Sequence, residues 1–142
     1  LDALGADSAF EKGCISVGGN KEIYLPWKNF GKKWNRESTK DDVYVISEKA
    51  KIIARDLVEE YQDFNMNSKD WVWNFIERNM CQVLGKDLNK PSNAVICWTP
   101  DGKDLGGTRW AIRLARKHSI KIYNLGNANV LDDFLKKLRS EK

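Results

Sequence analysis

Five apolar residues stand in a row at Ala94-Val95-Ile96-Cys97-Trp98, and the segment Thr99-Pro-Asp-Gly-Lys-Asp-Leu-Gly-Gly-Thr-Arg109 follows them directly. A strand with one wet face alternates apolar and polar residues. An unbroken run is instead the pattern of a strand covered on both faces, as in a parallel sheet between helices. The glycine-bearing loop gives way to a predicted helix of roughly 107–118, and Ile120–Asn124 reads as another strand. Strand, helix and strand in this order confine the chain to α/β architecture, with a parallel sheet covered by helices.

The rest of the chain fits that frame. Residues 3–17 predict a helix with Ala6, Ala9, Phe10, Gly13, Cys14 and Val17 on one face, ended by Gly18-Gly19. Lys21–Pro26 predicts a short strand in which Ile23 and Leu25 alternate with Glu22 and Tyr24 and which Pro26 stops. Residues 27–42 have no period and read as an ordered loop in which Trp27, Phe30 and Trp34 recur among Lys and Asn. The clearest amphipathic helix covers 47–64 through Ala50, Ile53, Ala54, Leu57, Val58, Tyr61 and Phe64. Ser68 is the expected N-cap of a helix over 69–84, with Val72, Phe75, Ile76, Met80, Val83 and Leu84 facing the core and Gly85 as its stop. After the Gly126-Asn127 turn, 129–140 forms a last amphipathic helix through Val130, Phe134, Leu135 and Leu138. A three-stranded sheet that opens on a helix is incomplete, and it predicts one or two strands ahead of Leu1 or supplied otherwise.

A chain of 142 residues is enough for one domain with a real core and too short for two. With 42% hydrophobic and 31% charged residues it is expected to be soluble, and no apolar run approaches the ~20 residues of a membrane span. No secretory leader is visible. A net charge of +4 permits nucleotide or nucleic-acid binding without demanding it. The clusters Lys32-Lys33, Arg109/Arg113/Arg116/Lys117 and Lys136-Lys137 read first as solvated helix faces. Three cysteines without ligand spacing and a single histidine argue against a Cys/His metal site and against a histidine-based nucleophile system. Cys14, Cys81 and Cys97 read as small buried hydrophobes of a reducing, cytoplasmic protein, and His118 as a helix C-terminal residue. No metal and no cofactor is implied.

The chemistry concentrates at two glycine-bearing helix starts. At Gly106–Arg109 the unpaired N–H groups and the dipole of the following helix attract an anion. Glycine lets a ligand approach the backbone, Thr108 offers a hydroxyl, and Arg109 suits a phosphate. Thr99 opens this loop at the carboxyl end of a strand, where open α/β sheets place their ligands. The second start is Leu4-Gly5-Ala6-Asp7, where Asp7 suits a ribose or base donor. As an ordinary first-turn acid it would stabilise the helix by ~0.3–1 kcal/mol. Trp27, Trp34 and Trp98 are candidate stacking faces, although aromatic residues serve more often as core.

Gly5-Ala6-Asp7-Ser8-Ala9-Phe10, Ile23-Tyr24-Leu25-Pro26-Trp27, Arg78-Asn79 with Gln82-Val83-Leu84-Gly85, and Val95-Ile96-Cys97-Trp98-Thr99-Pro100-Asp101-Gly102 with Gly106-Gly107-Thr108 together resemble small phage and bacterial proteins, DprA-like or LOG-like, of the SMF/DprA–LOG superfamily. The resemblance runs from residue 3 to about 126. It implies a Rossmann-like three-layer fold with a mostly parallel sheet over 1–142, with strands expected ahead of the Gly-Ala-Asp motif. It implies a nucleotide or nucleotide-derived phosphate ligand at Gly5, Ala6, Asp7, Arg78, Asn79, Thr99, Gly106, Gly107, Thr108 and Arg109.

The family's activities differ in kind. LOG-type members cleave the N-glycosidic bond of nucleoside monophosphates with a glutamate three residues after the loop threonine. Ala111 stands there in this chain, which leaves Asp7, Glu11 or Asp101 as candidate carboxylates. DprA-type members bind single-stranded DNA, for which Lys28, Lys32, Lys33, Arg36 and Arg109 are the candidates. Other relatives bind nucleotide-derived ligands without turnover. Related loops read Gly-Gly-Thr-Gly-Gln-Ala, where this chain has Arg109-Trp110 in place of Gly-Gln. An interaction module using the fold as scaffold is the remaining reading. No membrane partner is expected, and a homo-oligomer is left open.

Overall fold

The computed structural model describes residues 5–28, 30 and 43–141. In chain order they form α1 (Ala6–Ser16), β1 (Ile23–Leu25), β2 (Val43–Val45), α2 (Glu48–Tyr61), α3 (Asp70–Leu84), β3 (Ala94–Cys97), α4 (Thr108–Lys117), β4 (Lys121–Asn124) and α5 (Ala128–Ser140). The architecture is mixed α/β. Its strands form two parallel pairs, β1 with β2 and β3 with β4. Ile23, Tyr24 and Leu25 pair with Val43, Tyr44 and Val45, while Ala94 through Cys97 pair with Lys121 through Asn124.

The core is helical. α2, α3 and α4 pack against one another; α3 also lies on β1, and α4 on both β3 and β4. Of the stripes expected from periodicity, Ala50, Ala54, Leu57 and Val58 on α2 and Ile76, Met80, Val83 and Leu84 on α3 are buried. Ile53, Phe64, Val72 and Phe75 are half-buried and Tyr61 is exposed, while α3 also buries Trp73, which the period did not place in the core. Each large aliphatic side chain removed from water here contributes about 1.5–3 kcal/mol. On α4, Trp110 is fully buried and meets Phe64 and Tyr61 edge to face. α5 packs on β4, and Tyr123 meets its Phe134 at 5.0 Å between ring centroids. Ile122 joins the core on the α4 side. Because consecutive strand residues point to opposite faces, α4 and α5 cover β4 from opposite sides.

Several local expectations change. β2 is a strand that the sequence reading left unassigned, although Val43-Tyr44-Val45 is β-branched and aromatic. Tyr24, expected on the polar side of β1, is buried, and its hydroxyl donates to Glu22. The N-cap position of α3 is Lys69, because the Ser68 hydroxyl instead donates to the Asn65 carbonyl and closes a turn. β3 is not covered on both faces: Ile96 is 38% exposed and Trp98, just beyond the strand, 56%. The apolar stripe of α1 is also unburied, with Phe10 47% and Val17 80% exposed. The Arg113 side of α4 is no solvated face. Arg113 is 9% exposed, lies over the Tyr61 and Trp110 rings, and forms a two-pronged pair with Asp63 at 2.8 and 2.6 Å. Arg116 pairs with Asp104 and Lys117 with Glu60.

Among the described residues, no helix is long and apolar enough to cross a membrane.

Candidate functional site

A cleft of about 1140 Å³ runs between the two strand pairs. Ile23 and Tyr24 of β1 and all of β3 line it; neither β2 nor β4 does. α3 supplies Val72, Phe75, Ile76, Arg78, Asn79 and Val83, and the first turns of α1 and α4 close one end.

Two hydrogen-bonded bridges assemble that end. Arg78 donates from Nη1 to Asp7 Oδ2 at 3.0 Å, tying α3 to the first turn of α1. Asn79 donates from Nδ2 to the Gly107 carbonyl at 2.9 Å, tying α3 to the start of α4. The two tie residues are themselves joined, since Arg78 Nε donates to Asn79 Oδ1 at 3.2 Å. Asn79 is buried, so its amide needs these partners. Gly5, Ala6, Asp7, Arg78, Asn79, Gly106, Gly107, Thr108 and Arg109, far apart in sequence, therefore all line one cleft.

The local backbone explains the glycines. Gly106 has φ +62°, a left-handed conformation that few other residues adopt cheaply. Gly107 is helical at φ −67° and ψ −32°, and a Cβ built on it would meet no atom within 4 Å. Its side-chain position faces open space. Arg109 lies in the cleft lining with its Cζ 5.0 Å from the Trp110 ring centroid, and its buried Nε has no hydrogen-bond partner among the described residues.

Thr99 and Asp101 lie elsewhere. Thr99 is buried outside the cleft lining, held by Asn124: its N–H donates to Asn124 Oδ1 at 3.1 Å, and its Oγ1 accepts from Asn124 Nδ2 at 2.6 Å. Asp101 sits in a short 3-10 turn, Pro100–Gly102, with φ 53°; it is exposed and 3.8 Å from Lys103 Nζ. Glu11 lines the cleft, as does Trp98. Trp27 instead packs edge to face on Phe30 and Phe75. Lys28 is exposed. Trp34, Lys32, Lys33 and Arg36 lie outside the described residues. Position 111, where LOG-type enzymes carry glutamate, is a buried alanine.

Neither thiol near the core is a ready nucleophile. Burial pushes Cys97 up to about 11 and raises Cys81 as well. Among the described residues no three His, Cys, Asp or Glu side chains are grouped to hold a metal ion.

Sequence reasoning missed two features. Asn124 clamps the ends of β3 and β4; its only sequence signal is an Asn at the end of a strand, ahead of Leu-Gly-Asn. Trp71, Phe75 and Phe30 form an aromatic wall of the cleft; Phe75 reads as core from its helical period, and nothing marks Trp71.

Comparison with protein-family models, curated proteins and solved structures finds no match to this chain.

Proposed function

We propose that this chain binds a nucleotide, or a nucleotide-derived phosphate ligand, in a Rossmann-like crevice of the SMF/DprA–LOG type. The observation that carries the reading is the meeting of two helix starts, α1 and α4, at the carboxyl-end side of β3, bridged by Arg78 and Asn79. The first-turn N–H groups of α4 and its dipole offer an anion site. Gly107 leaves room for a phosphate oxygen to approach the backbone. The Thr108 hydroxyl adds a donor in the cleft lining, which Arg109 shares. Asp7, oriented by Arg78, is placed to accept from a ribose hydroxyl, and the exposed ring of Trp98 offers a face for a base. In the Rossmann-like arrangement, β2-β1 and β3-β4 are the two flanks of one parallel sheet on a shared helical layer, with α5 on the opposite side.

The residues favour binding over turnover. N-glycosidic cleavage asks for a carboxylate near the ligand's sugar. Ala111 provides none, Asp7 is engaged by Arg78 and Asp101 lies away from the cleft; Glu11 lines it, but one carboxylate does not make an acid/base pair.

A thermal-shift series with nucleoside monophosphates, dinucleotides, cyclic nucleotides and short single-stranded DNA tests this. A ligand at 100 times its Kd adds about 2.7 kcal/mol of stability. A shift with a mononucleotide that Gly107→Ala abolishes supports the reading. No shift with any of them overturns it, and a shift confined to DNA that weakens steeply with salt replaces it with strand binding.

A further inference from the structure

Resting on the nucleotide reading above, we propose that the aromatic wall on α3 is a second ring-binding subsite, and that the ligand of the cleft carries two planar bases joined through phosphate, as a dinucleotide does. Among the described residues, two exposed tryptophans line the cleft, Trp71 and Trp98. Aromatic side chains serve more often as core, and α3 shows both uses. Trp73 is buried and packs edge to face on Phe64. Trp71, two positions earlier, cannot share that face; it lines the cleft and is 45% exposed. Its ring is braced all the same. Phe75, one turn along α3, meets Trp71, Phe30 and Trp27 at centroid distances of 6.3, 5.5 and 5.5 Å, with interplanar angles of 87°, 81° and 76°. Edge-to-face packing holds the wall in place and still leaves the Trp71 indole wet.

The wall runs without a break into the polar end of the cleft. Arg78 stands over the Phe75 ring, its Cζ 5.7 Å from the centroid, while its Nη1 holds Asp7. Asn79, the next residue, holds the Gly107 carbonyl at the start of α4. Eight residues separate Trp71 from Asn79, about 12 Å along the helix axis. That is farther than the single sugar that parts a mononucleotide's phosphate from its base. A second nucleoside, linked through the phosphate seated at the start of α4, covers the distance. Trp98, just past the carboxyl end of β3, is left for the other base. The cleft, at about 1140 Å³, is also larger than the ~300–1,000 Å³ usual for one small ligand. Every base has a π-face, so the wall selects for the presence of a second ring and not for its identity.

The test is titration calorimetry of the whole chain with three probes: AMP, two adenosines joined through pyrophosphate, and a short thymidine single strand. The dinucleotide is expected to bind at least about tenfold tighter than AMP. Trp71→Ala should bring the two within about threefold of each other, and Trp71→Phe, which keeps a stacking ring, should retain most of the gain. Equal affinities in the unaltered chain overturn the proposal without recourse to any variant, and leave the nucleotide reading standing. A gain that survives Trp71→Ala overturns it too. If neither AMP nor the dinucleotide binds, the nucleotide reading falls and the second subsite with it. If the single strand binds tighter than the dinucleotide and weakens steeply with salt, the wall belongs to a nucleic-acid strand and the two-base assignment is overturned.

Discussion

Two pairs of glycines lie within the loops at the carboxyl ends of β3 and β4, and they are there for opposite reasons. Gly102 and Gly126 are squeezed. A Cβ on Gly126 would overlap the Thr99 carbonyl oxygen and come 2.9 Å from its carbon, and one on Gly102 would come 2.8 Å from Asn127 Cβ. Gly106 and Gly107 face nothing within 4 Å. Both pairs read alike in sequence, as breaks between a strand and a helix. The first pair lets two loops cross; the second leaves a space that the protein does not fill. Crowded glycines belong to the fold; in the proposed function, the open pair at the start of α4 is where the ligand approaches.

This contrast can be broken by substitution. Gly126→Ala is the severest change: the methyl group forces the Thr99 turn apart, and a loss of about 3 kcal/mol or more is expected in denaturant unfolding. Asn124→Ala removes the side chain that accepts from Thr99 N–H and Gly126 N–H and donates to Thr99 Oγ1, at an expected cost of about 2–3 kcal/mol by the same measurement. Thr99→Val leaves the Asn124 amide short of one acceptor and should cost about 1–2 kcal/mol. In all three, any ligand-induced thermal shift is expected to persist where the variant still folds. Gly107→Ala is the mirror image. Its backbone suits alanine, so stability should change by less than about 1 kcal/mol, yet the nucleotide-dependent shift should vanish. A Gly107→Ala protein that keeps the shift would sink the distinction.

Legibility in the sequence followed physical range. Helices α2 and α3 were readable because their apolar stripes are long and local, and most of those residues are buried or half-buried. Gly85 was readable as a stop, and its φ of +81° shows why. β2 escaped because three residues give no period. The exposed side of β3 escaped because an apolar run reports the chain's tolerance for burial, not whether a neighbour covers it. For the candidate site, the glycines and the Arg78-Asn79 pair could be named in advance. The partners of Arg78 and Asn79 could not, since Asp7 and Gly107 are brought to them only by tertiary packing. Thr99 shows the converse: its hydroxyl is taken by Asn124, twenty-five positions away.

Arg78 and Asn79 ride on the same turn of α3 that buries Ile76 and Met80. One jaw of the cleft is thus set in the packed core, and its donors are already held by Asp7 and the Gly107 carbonyl. The other jaw is α1, with no buried side chain, reached from α3 through the Asp7 carboxylate. A guest that grips both jaws would meet one anchored in the core and one held chiefly by a single carboxylate. How long such a guest stays would then depend on how firmly the Asp7–Arg78 pair ties α1 to α3.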